Sequence, residues 1–150
     1  MGGAPAPKRE AAVTDADVAV AVLDASALIA FVYEEKGAHR VEPILRRGAL
    51  ISTVNWAEAL SIMAERDEPV ERSVPRVTDA VADVGALHIV AYDEAQAVET
   101  ARLRLRTTSL GLSLADRSCL ALGRLRRLPV FTTDRAWRSL HVLVKIEIIR

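Results

Sequence analysis

The sequence predicts a three-layer α/β/α sandwich around a mainly parallel, five-stranded sheet. Three observations predict it. Short apolar runs alternate with longer helical patterns along the chain, as expected of strands joined by crossover helices. The chain has 150 residues, enough for one domain with a real core. No repeat of a solenoid period interrupts the alternation.

The chain starts with MGGAPAPKREAAVTDAD, which is small, polar and Pro-containing. It lacks the basic start and long apolar segment of a signal peptide. Residues 1–18 read as a flexible extension and residues 19–150 as the folded domain. Strands are expected at Ala19–Leu23, Ala49–Ser52, Leu87–Val90, Val130–Thr132 and Val144–Ile149. Helices are expected over 26–34, 37–47, 55–66, 70–84, 93–106 and 113–127, with a short one over 135–139. Pro43 falls inside the second of these segments and should kink that helix or start it late. Pro75 makes the start of the fourth uncertain, and Asp67–Pro69 separates two helices.

Composition narrows the function. Half the residues are apolar and about a quarter charged, as in an ordinary globular domain. No apolar stretch approaches the roughly 20 residues of a membrane span. The single cysteine, Cys119, excludes an intrachain disulfide and Cys-based zinc clusters, and reads as a buried thiol in a cytoplasmic protein. The net charge is zero but unevenly spread. Residues 101–150 hold 11 Lys and Arg against three acids, leaving 9 basic and 17 acidic residues for 1–100. A basic face of this kind attracts polyanions, or is simply solvated helix surface.

In a parallel sheet, sites form beyond the carboxyl ends of the strands. Asp24 ends the first apolar run, and Asp134 follows the fourth strand in VFTTDRAW. Glu58, in ISTVNWAEAL, lies early in the helix after the second strand. Asp116, in GLSLADRSCLAL, opens the helix that feeds the fourth. Four acids therefore converge on one rim. Each also has a capping explanation. Asn55-x-x-Glu58 and Ser113-x-x-Asp116 match the capping-box pattern, and Asp24 and Asp134 sit where N-caps belong. Ser26, Asn55 and Ser113 are alternative caps, which leaves the acids partly redundant in that role. Carboxylates held together repel one another and raise each other's pKa. A hard divalent cation such as Mg²⁺ relieves that conflict. Asp24, Glu58, Asp116 and Asp134 are thus candidate catalytic residues and metal ligands.

Such a site hydrolyses phosphodiesters through a metal-activated water. No histidine is required, and none of His39, His88 and His141 adjoins a candidate acid in sequence. Ser26, Thr132 and Thr133 flank the acids and are candidates to hold ligand orientation. The arginines of the last third, Arg117 and Arg135 among them, are candidate contacts to a phosphate backbone. Only six aromatic residues are present, which argues against a base-stacking platform.

VLDASALIAF, ISTVNWAEAL, LGLSLADRSCLAL and LPVFTTDRAW occur in order and at suitable spacing. Together they resemble PIN-domain proteins, specifically the VapC-like toxins of type II toxin–antitoxin systems, over about residues 19–149. The resemblance implies a PIN-like fold and a Mg²⁺- or Mn²⁺-dependent endoribonuclease, with acidic positions at Asp24, Glu58, Asp116 and Asp134. It also implies an RNA substrate, a cognate antitoxin and a homodimer. The N-terminal extension departs from the usual family start, where the first strand lies near the initiating methionine. Two other readings remain. One is a catalytically silent RNA- or protein-binding module on the same scaffold, using the acids as caps. The other is a phosphatase or phospho-receiver with a nucleophilic Asp24. The DxD phosphatase pattern needs a second acid where Ser26 stands.

Overall fold

A computed structural model describes residues 13–150. Five strands form one sheet: β1 (Ala21–Leu23), β2 (Ala49–Ser52), β3 (Leu87–Val90), β4 (Val130–Thr132) and β5 (Ile146–Ile148). All pairings are parallel, and the order is β3-β2-β1-β4-β5. Six helices connect them: α1 (Ala25–Val32), α2 (Ala38–Arg47), α3 (Thr53–Glu65), α4 (Val70–Ala82), α5 (Glu94–Thr107) and α6 (Leu114–Arg126). Short 3-10 turns occupy Asp15–Val18, Thr108–Leu110 and Arg135–Ser139.

Alternation along the strands sorts side chains between two cores. Ala21, Leu23, Ala49, Ile51 and Phe131 join α1 to α4 on one face. Val22, Leu50 and Val130 join α5, α6 and Trp137 on the other. The expected three-layer α/β/α sandwich is therefore present, with its sheet wholly parallel. Because β1 is covered on both faces, it is apolar throughout, as buried parallel strands are.

Several boundaries differ from expectation. The first strand begins at Ala21 rather than Ala19, and the last is Ile146–Ile148. Pro43 does not delay α2, which starts at Ala38 after Gly37 in the left-handed region. Pro75 likewise lies inside α4. Of the extension read over 1–18, residues 1–12 lie outside the described residues. Asp15–Val18 forms a turn closed by Thr14 and Asp17, and Asp17 pairs with Arg126 at 3.3 Å. No described helix is long and apolar enough to cross a membrane.

One glycine holds the α4–β3 connection against α2. A Cβ on Gly85 would stand 2.0 Å from the Leu45 carbonyl oxygen, which accepts the Ala86 amide at 2.9 Å. Because the obstacle is backbone, Gly85→Ala is expected to cost about 2–3 kcal/mol. That is a fall of roughly 5–10 °C in the thermal midpoint for a domain of this size. A melting curve followed by circular dichroism checks it, and an unchanged midpoint contradicts it.

Candidate active site

The strand order reverses direction between β1 and β4, and such a switch point opens a crevice at the strands' carboxyl ends. Leu23 pairs with Phe131, so the residues after β1 and β4 emerge side by side. Asp24 leaves β1 in extended conformation and caps α1. Its Oδ1 accepts the Ala27 amide at 2.8 Å and the Ser26 hydroxyl at 2.7 Å. Its Oδ2 accepts the Thr132 hydroxyl at 2.5 Å. Ser26 Oγ accepts the Thr133 amide at 2.9 Å, and Thr132 Oγ1 accepts the Asp134 amide at 3.1 Å. Asp24 is only 5% exposed. Burial raises its pKa to about 6; bonds from Thr132, Ala27 and Ser26 oppose the rise and nearby Asp116 adds to it.

Glu58 projects from α3 half-buried. Burial raises its pKa first and Asp116 second, while the Asn55 amide works in the other direction. Asp116 opens α6 in a reciprocal box with Ser113. Its amide donates to Ser113 Oγ at 3.1 Å, and its Oδ2 accepts the Ser113 amide at 2.9 Å. Cys119, buried one turn further along α6 as the sequence suggested, registers the convergence. Its thiol is pushed well up by burial, then by Asp24, Asp116 and Glu58. Three of the four acids therefore act on common ground. Asp134 does not: it is exposed, caps the 3-10 turn through the Ala136 amide at 2.9 Å, and is not among the charges acting on Asp24 or Glu58.

The capping assignments shift. Ser52, not Asn55, caps α3, accepting the Val54 amide at 3.2 Å. The helix starts two residues earlier than expected, so Glu58 falls beyond its first turn and its carboxylate is not spent on a cap. Asp24 rather than Ser26 caps α1. The hydroxyl on Asp24 Oδ2 comes from Thr132, whereas Thr133 supplies its backbone amide. Arg117 is half-buried and donates to the Thr100 carbonyl at 3.2 Å, tying α6 to α5. Arg135 is exposed, with Nε on the Arg150 carbonyl at 3.1 Å. Asn55 is the residue whose role sequence reasoning missed. It is fully buried, and a polar residue within a helix that packs on another was its only signal.

No ion pair among the described residues engages Asp24, Glu58, Asp116 or Asp134. Like charges gathered without a basic partner, and offering oxygen alone, fit a hard divalent cation. Among the described residues no three His, Cys, Asp or Glu side chains form a ready ligand group. An ion held there would have to keep several waters.

The family model for the PIN domain matches residues 21–143. No curated protein matches the sequence significantly. Among solved structures, VapBC-5 from Mycobacterium tuberculosis, a member of the VapBC family of toxin–antitoxin systems, is 28% identical. The match has a TM-score of 0.55 and covers 88% of this chain and 98% of that one. A toxin–antitoxin complex from Klebsiella pneumoniae matches at 18% identity and TM-score 0.66, covering 87% and 98%. VapBC2 from Rickettsia felis, bound to a DNA fragment from its promoter, matches at 12% identity and TM-score 0.67, covering 87% and 99%.

Proposed function

Because the chain belongs to the PIN domain family, we propose that it is a divalent-metal-dependent endoribonuclease, the toxin of a toxin–antitoxin pair. The observation that carries this reading is the gathering of Asp24, Glu58 and Asp116 without a cationic partner among the described residues. Its neighbours among solved structures, which are toxin–antitoxin complexes, support the biological role. The expected partners are an RNA substrate, a cognate antitoxin and a second copy of the chain. The expected location is the cytoplasm, and the mass of the assembly isolated from cells tests the two protein partners.

Asp24, Glu58 and Asp116 would hold the ion, with Asp134 at the open edge of the same rim. A bound Mg²⁺ or Mn²⁺ supplies an activated water and offsets charge on the leaving oxygen. Asp24 contributes direction: three donors fix both its oxygens, so it presents one geometry to whatever enters. Glu58, free of capping, is the acid able to adjust. Arg135, exposed beside Asp134, offers a substrate phosphate a cation without reading sequence.

The purified chain should cleave cellular RNA with Mg²⁺ or Mn²⁺ and stop in EDTA. Asp116→Asn, which keeps an oxygen for the Ser113 amide, should lose cleavage by about 100-fold or more. The silent binding module draws support from Asp24, Asp116 and Asp134 each capping a helical segment. Equal RNA affinity with and without metal, and no cleavage of any cellular RNA, would establish that reading instead.

A further inference from the structure

Asn55 lies at the meeting of the two helices that carry Glu58 and Asp116. It is fully buried in α3, three residues before Glu58, so the two share a helix face. Its Nδ2 donates to the Ala115 carbonyl at 3.0 Å, one residue before Asp116. A carbonyl accepts only from the NH₂ side of the amide, so this bond fixes which way the group faces. The other end, Oδ1, is buried and has no donor among the described residues. Leaving a buried acceptor unmatched is costly. A leucine, similarly branched though bulkier, would bring no unmatched acceptor to the site.

We propose that Asn55 is a positioning residue for the acidic site. Its carboxamide sets the spacing of Glu58 on α3 against Asp116 on α6, and its free oxygen receives a hydrogen bond when the site is filled. The inference rests on the metal-dependent reading above and deepens it. Outer groups that orient ligands affect metal affinity by roughly 10–100-fold. A group that serves only packing has no such reach.

The test compares the parent with Asn55→Ala, Asn55→Leu and Asn55→Asp. Mn²⁺ affinity is measured by calorimetry, RNA cleavage as kcat and KM, and melting in EDTA by circular dichroism. Asn55→Ala and Asn55→Leu should bind Mn²⁺ about 10-fold or more weakly and lose kcat with KM for RNA little changed. The similarly branched Asn55→Leu should still melt cooperatively in EDTA, which separates positioning from folding. Asn55→Asp, which keeps an oxygen acceptor, should bind Mn²⁺ more tightly than Asn55→Leu. If the parent binds Mn²⁺ and folded Asn55→Leu binds it within twofold, the inference fails and the nuclease reading stands. If the parent itself neither binds Mn²⁺ nor cleaves RNA, both fail together.

Discussion

Asp24→Asn should melt higher than the parent in EDTA at pH 7.5 while losing RNA cleavage. Folding raises the Asp24 pKa from 3.8 to about 6, so the folded state holds the proton more tightly than the unfolded one. The penalty is absent below pH ~4, grows as pH rises through the 4–6 window, and is constant above it. A rise of about two units corresponds to roughly 3 kcal/mol at neutral pH. Asparagine keeps an oxygen for the Ser26 and Ala27 donors and turns its NH₂ towards the Thr132 oxygen. It carries no charge to bury. Allowing for imperfect replacement of those bonds, a gain of ~1–3 kcal/mol is expected, or about 2–10 °C. Melting from pH 4 to 8 checks the sign: the advantage should vanish near pH 4. Added Mg²⁺ should raise the parent's midpoint by mass action and leave the variant's unchanged. A variant less stable than the parent at pH 7.5 would show that this carboxylate is comfortable where it lies.

Trp137→Ala is expected to destabilise the protein by about 3–5 kcal/mol. Trp137 is fully buried on the α5–α6 side of the sheet. Its amide donates to the Asp134 carbonyl at 3.2 Å, so the side chain anchors the turn that carries Asp134. Trp137→Phe should be far milder, within about 1.5 kcal/mol. The indole Nε1 is buried without an acceptor, so phenylalanine removes an unmatched donor while keeping most of the packing. Urea unfolding of both variants measures the contrast. Equal losses would mean that the indole nitrogen, rather than bulk, fixes the turn.

Asp24 was legible because it ends an apolar run, where an unpaired charge is costly. The strands were legible because a parallel sheet buries both faces and leaves short continuous apolar segments. Their ends were less so. Ala19 and Val20 have the right residue types, but only backbone pairing decides where β1 begins. The start of α3 was ambiguous for a related reason. Ser52, Thr53 and Asn55 are all polar, and the cap falls to Ser52 because pairing of Ser52 with Val90 carries β2 to that residue. Thr132 and Thr133 were indistinguishable as neighbours of the acids. The Leu23–Phe131 register places the Thr132 hydroxyl against Asp24. The convergence of Asp24, Glu58 and Asp116 followed from topology, since every helix beginning at the strand ends delivers its first residues to one rim. Asp134 reaches that rim too, but its side chain turns to its own short 3-10 turn, where it accepts the Ala136 amide.

The bond between Thr132 and Asp24 joins residues 108 positions apart, and α6, with Asp116, also comes late in the chain. During synthesis three strands and five helices, β1 to β3 and α1 to α5, precede both Asp116 and Thr132. The acidic rim is thus incomplete until the final segment threads in beside the first strand.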